Sequence, residues 1–123
     1  MKLRFRGNSV RLRLNQSEVR ELAAGNALEE QVHFPDSARV SYVLQPTPST
    51  TAQASFREGA IRVLAPESEL RQWAASDSIG LYFELPANGT ALKIAIEKDL
   101  ECTDGPVEDR DPDAFPRSQS KSC

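Results

Sequence analysis

"RFRGNSVRLRLNQSEV", residues 4–19, contains a two-strand-and-helix signature in one short run. Apolar and basic residues alternate through Lys2–Arg6 and again through Val10–Leu14, the two-residue period of strands with one buried and one wet face. Gly7 and Asn8 between them tolerate the positive φ that a tight hairpin turn demands. The period then lengthens. Val19, Leu22 and Ala23 share one face of a helix over about Gln16–Ala24, with Asn15 and Glu18 at capping-box spacing and Gly25 placed to stop it.

The stretch occurs twice. Shifted by 51 positions, it falls on "SFREGAIRVLAPESEL", residues 55–70, matching Phe5-Arg6 to Phe56-Arg57, Arg11 to Arg62 and Ser17-Glu18 to Ser68-Glu69. Eight of the 26 positions from 3 to 28 are identical to their counterparts, where average residue usage gives roughly one or two. Apolar positions agree as well, Val10 with Ile61 and Leu22 with Trp73 among them. This reads as a tandem duplication.

Working outward, each copy reads as strand, strand, helix, strand, strand. Strands near Ala27–Phe34 and Val40–Gln45 complete the first. The second runs through Ala54–Arg57, Ile61–Ala65, a helix from about Pro66 to Ser76, Ile79–Leu85 and Leu92–Glu97, with Asn88-Gly89 as a two-residue hairpin turn. Asn88-Gly89-Thr90 is also a glycosylation sequon, but the turn reading suffices. "QPTPSTT", residues 45–51, has linker composition and is expected to stay out of the sheet. The expectation is a mainly β (α+β) fold: one duplicated domain over 1–98 (copy one 2–45, linker 46–52, copy two 53–97), two short helices, and an acidic irregular tail over 99–123.

Composition excludes several classes. With 123 residues, 39% hydrophobic and 27% charged, the chain has the make-up of one globular domain. No apolar run approaches a membrane span, and Met1-Lys2 leads into an alternating strand, so the expectation is a cytoplasmic protein without membrane contact. Cys102 and Cys123 both fall late in the chain and cannot be the framework of a stapled fold. The net charge of −3 hides an uneven distribution: residues 2–20 carry Lys2, Arg4, Arg6, Arg11, Arg13 and Arg20 against Glu18 alone, whereas residues 97–123 carry eight acids against four bases.

Gly7-Asn8-Ser9, then Arg13-Leu14, then a helix opening "SEV" resembles the core of the AbrB/MazE group of swapped-hairpin proteins, over about residues 2–34 with an echo in 53–85. Asn15 stands where that group has proline, and Pro66 restores it in the second copy. The resemblance implies a single-chain pseudo-dimer forming a swapped-hairpin-like barrel. The pattern "GNSxRLRLxxSEV" together with a late "DAFP" also resembles a group of small uncharacterised bacterial proteins, which implies no activity.

The AbrB/MazE resemblance implies DNA contact at Arg4, Gly7, Asn8, Ser9 and Arg13, and arginine donors to phosphate or guanine suit that role. In the second copy Glu58-Gly59-Ala60 replaces the motif and breaks a symmetric footprint. The competing reading makes Arg4, Arg6, Arg11 and Arg13 a solvated strand face paired with acids such as Glu29, Glu30 and Glu58. In the tail, the MazE comparison implies a partner-gripping peptide, with Asp111, Asp113, Phe115 and Pro116 as the anchor. Alternatively the tail folds back, its acids meeting the arginines and Phe115 covering a sheet edge.

Catalytic constellations are sparse. His33 is the single histidine and sits on a strand without a companion at ligand spacing, so no metal site and no cofactor are expected. A wide barrel lined with charged rows would resemble the CYTH-type triphosphate tunnel enzymes, of whose Glu-x-Glu-x-Lys strand only Glu97-Lys98 is present. The leading expectation is a non-enzymatic binding module, monomeric or weakly dimeric, with an unidentified protein as its partner. A DNA-binding regulator and a triphosphate enzyme are the alternatives.

Overall fold

The computed structural model of the chain describes residues 1–101 and 111–116. Cys102 and Cys123 lie outside these. In chain order the elements are β1 (Lys2–Arg6), β2 (Ser9–Leu14), α1 (Gln16–Ala23), β3 (Leu28–His33), β4 (Arg39–Thr47), β5 (Gln53–Arg57), β6 (Ala60–Pro66), α2 (Glu67–Ala74), β7 (Gly80–Ala87) and β8 (Thr90–Lys98). The hairpins close where their turn residues allow it. Asn88 and Gly89 take φ of 46° and 79° between β7 and β8, and Glu58 and Gly59 take 51° and 74° between β5 and β6. Such mirror-image turns match the twist of the strands they join.

The strands form two four-stranded sheets, ordered β1-β2-β8-β7 and β3-β4-β6-β5. Each sheet unites a hairpin from one half of the chain with a hairpin from the other through a central parallel pair. In the first, Ser9–Leu14 runs beside Lys93–Lys98; in the second, Ser41–Thr47 runs beside Ala60–Pro66.

The expected barrel does not close. Among the described residues the ladders end at β1 and β7 in one sheet and at β3 and β5 in the other. Side chains and the chain's first residue bridge the β1/β3 seam instead. The Tyr42 hydroxyl donates to the Met1 carbonyl at 2.9 Å, and the Met1 ammonium donates to Glu18 and, at 3.2 Å, to Glu30. Burial disfavours that ammonium's charge, but the hydrogen bonds and charges of Glu18 and Glu30 outweigh it and raise its pKa.

The core lies between the sheets and under the helices. Leu12, Leu14, Ile94 and Ile96 from one sheet meet Leu44, Val63 and Ala65 from the other, and Val19, Leu22, Leu70 and Trp73 seal one end as α1 packs on α2. The supposed linker departs from expectation, since Gln45, Pro46 and Thr47 belong to β4 and pair with Leu64, Ala65 and Pro66. Strand β3 stops pairing at Leu44, so from there β4 has one neighbour, and the absent N–H of Pro46 can fall on its open side.

Candidate nucleic-acid interface

The alternation that buries Leu3, Val10 and Leu12 turns every base of β1 and β2 outward. Strand register then assembles three rows across the first sheet: Lys2, Arg13, Glu97 and Gly80; Arg4, Arg11, Ala95 and Tyr82; Arg6, Ser9, Lys93 and Glu84. These rows therefore set six cations beside two carboxylates, and Asp99 just past β8 pairs with one of the six, Lys2. On the outer face of the second sheet the same rows carry Arg39, Arg57 and Arg62 with Glu29, a smaller cationic surplus.

Glu97 organises its centre. The Arg11 Nε lies 3.2 Å and the Arg13 Nε 3.8 Å from its Oε1, and the Tyr82 hydroxyl donates to its Oε2 at 3.0 Å. The acids expected to pair with these arginines, Glu29, Glu30 and Glu58, do not do so. Glu29 and Glu30 stand on β3 in the other sheet, where Glu29 accepts from Gln31 and Glu30 from the Met1 ammonium, and Glu58 is in the β5–β6 turn. Arg4 and Arg6 are exposed, with no acid within ion-pair distance among the described residues.

The turn residues shape the end of this face. Gly7 has φ 55°, which spares the turn a side-chain penalty. The Asn8 Nδ2 donates to the Ala91 carbonyl at 2.8 Å, tying the β1–β2 turn to β8, and the Ser9 hydroxyl donates back to the Arg6 carbonyl. Asn8 and Ser9 thus spend polar groups on the fold, while Arg4 makes no ion pair among the described residues.

Tyr82 was not singled out in the sequence. Its ring lies along β7 toward Gly80, so closely that a Cβ on Gly80 would meet the hydroxyl oxygen at 2.2 Å, and the residue is 62% exposed. The legible signal was the glycine two residues before an aromatic on one strand face. Burial, then the Glu97 hydrogen bond, raise the Tyr82 pKa, so the hydroxyl remains a donor. Small Ala95 floors a depression of about 350 Å³ bounded by Ser9, Arg11, Tyr82, Glu84 and Lys93.

Residues 111–114 of the tail fold back onto the start of α1, and Asp99, where the tail begins, pairs with the basic face at Lys2. Asn15 caps α1 with its side chain while Glu18 returns a bond to the Asn15 backbone. Asp113 adds a second carboxylate there, accepting from the Ser17 backbone N–H at 2.9 Å, and the Asn15 Nδ2 donates to Asp111 at 2.9 Å. These hydrogen bonds favour the charged carboxylates and lower the pKa of both aspartates.

Phe115 extends the ladder beyond β2: its N–H donates to the Asp99 carbonyl and its carbonyl accepts from Glu101, each at 2.7 Å, next to the place where Leu14 accepts from Asp99. Asp99 itself is buried and holds Lys2 at 2.8 Å. Lys98, 7% exposed, sits with its Nζ 5.6 Å from the Trp73 ring and 5.7 Å from the Phe115 ring, and donates to the Ser76 carbonyl. Of the four residues expected as a free anchor, Asp111, Asp113 and Phe115 are thus engaged within the chain, and Pro116 is exposed.

His33 is exposed on β3, and no cluster of metal-ligating side chains occurs among the described residues. No helix among them is long and apolar enough to cross a membrane. The fold and face define a small, mainly β protein with two four-stranded sheets, the outer surface of the first being the more cationic. The chain belongs to a family of unknown function, DUF7009, whose model matches residues 1–119. No curated protein and no solved structure matches it.

Proposed function

We propose that this protein is a non-enzymatic binding module built from two fused swapped-hairpin units, and that it engages nucleic acid through the outer face of the β1-β2-β8-β7 sheet. The exchange of hairpins between halves, with parallel pairs β2·β8 and β4·β6 at equivalent places, supports the fused-unit reading and the AbrB-type resemblance. The observation that carries the functional reading is the gathering of Lys2, Arg4, Arg6, Arg11, Arg13 and Lys93 on one face against Glu84, Glu97 and the Asp99 that holds Lys2. A chain of net charge −3 gives no long-range attraction, but screening over roughly 8–10 Å leaves the local surplus of charge to act at contact.

A tunnel enzyme draws no support here, because charged rows point outward and the side facing the other sheet is filled by residues such as Leu12 and Ile96. In this reading the tail is a strap that secures α1, and it grips no partner through its engaged residues.

Fluorescence polarisation with mixed-sequence DNA across a salt series tests the proposal. Binding of duplex DNA that falls with log salt at a slope of about −3, for some three phosphates neutralised, is expected. Arg4→Ala with Arg6→Ala reduces the slope by nearly two. Absence of binding at low salt, or a slope these changes leave alone, overturns it.

A further inference from the structure

Basic faces that read a duplex backbone need cations and little else, whereas this one also carries an exposed aromatic ring on its edge strand β7. We infer that the face takes single-stranded nucleic acid, with one base stacked on Tyr82 and the flanking phosphates held by Arg4, Arg11 and Lys93. The inference rests on the nucleic-acid reading above and adds the strand state and the contact.

Three features carry it. Tyr82 stands in the same cross-strand row as Arg4, Arg11 and Ala95, and its ring leans from that row toward Gly80, so the ring lies beside the line of guanidinium groups. The ring is held rather than free: Gly80 leaves the room it lies in, and Glu97 anchors its hydroxyl at 3.0 Å. A ring fixed before binding loses little entropy on stacking. Finally, Ala95 keeps the floor beside the ring low, and the hollow it leaves is walled by Arg11 and Lys93. Paired bases in a duplex are stacked on one another and offer no free face to such a ring, but an unpaired strand does, and a stack on an aromatic side chain beside a basic track is the general device for holding it. Of the other exposed aromatics, Phe5 and Phe56 lie on the opposite, inward-turned faces of β1 and β5 with no row of cations beside them, and Phe34 lies just past the end of β3 in the other sheet.

The full chain is titrated, at fixed low salt, into a fluorescein-labelled mixed-sequence 20-mer and into the same strand annealed to its complement. Wild type is compared with Tyr82→Phe, which keeps the ring, and Tyr82→Leu, which keeps apolar bulk without it. Expected are tighter binding of the single strand, a loss of about tenfold in Tyr82→Leu for the single strand, less than a twofold change for the duplex, and a much smaller loss in Tyr82→Phe, which keeps the stack and loses only the anchor. Equal losses in Tyr82→Phe and Tyr82→Leu, or binding of both DNA forms untouched by Tyr82→Leu, overturn the stacking inference while the cationic face stands. Failure of both forms to bind wild type overturns the nucleic-acid reading and this inference with it.

Discussion

Glu58 holds φ at 51°, in a left-handed conformation that favours Asn or Gly, while the corresponding turn between β7 and β8 uses Asn88. Glu58→Asn should therefore raise stability by about 0.5–1 kcal/mol, visible as a higher midpoint in urea with unchanged slope; an unchanged midpoint would show that the turn relaxes to suit glutamate. The neighbouring Gly59 allows no such freedom, since a Cβ there would stand 3.0 Å from the Arg39 carbonyl. In the core, Leu12 is 1% exposed at the junction of sheet and helices. Leu12→Ala is expected to cost about 2–5 kcal/mol in the same measurement. Residue identity made much of this readable: alternation placed Leu12 inward and Arg11 outward, and Asn-Gly fixed a turn. It did not show that Arg11 and Arg13 share Glu97, because that contact depends on β8 arriving beside β2.

Among the elements, α1 and α2 are sequence-related yet start differently. Helix α1 has the Asn15–Glu18 capping box plus the Asp113 carboxylate, whereas α2 begins at a buried Pro66 with no side-chain cap. Asn15→Ala should cost about 1 kcal/mol. The strap at α1 is also sensitive to acid. Because the folded pKa values of Asp111 and Asp113 are lowered, their contribution is present above the ordinary aspartate value and is lost as pH falls through the folded values. Followed by NMR, the Ser17 amide should titrate with a midpoint below about 3.9; a midpoint at or above that value would contradict the contact. Lys98 joins strap to helix through Trp73 and Phe115, and Lys98→Met should destabilise the fold by about 1–3 kcal/mol, through the lost ring contacts and the Ser76 bond. The hairpins and helices were legible from local periodicity. The strap was not, because nothing in "DPDAFP" says which helix end its aspartates reach, and the reach of β4 through Pro46 was hidden by a proline that reads as a linker.

For the whole molecule, neither half can complete a sheet alone, since both central parallel pairs join residues from different halves. A chain cut between Ser49 and Thr50 should give fragments that lack the native circular dichroism separately and regain it on equimolar mixing. A first fragment that folds by itself would contradict that dependence. The likeness of residues 3–28 to 54–79 signalled two similar units, but the hydrophobic pattern of each is equally compatible with two separate little sheets, and only the pairing tells them apart.

That pairing also has a consequence for the nascent chain. The Asn8 side chain finds its acceptor at Ala91, 83 residues later, and β2 has no central neighbour until β8 exists. On a ribosome, the first hairpin must wait with an unsatisfied edge and an apolar face while almost the entire domain is synthesised. The charges of Arg4, Arg6, Arg11 and Arg13 then act as gatekeepers against self-association during translation, before they have any other task.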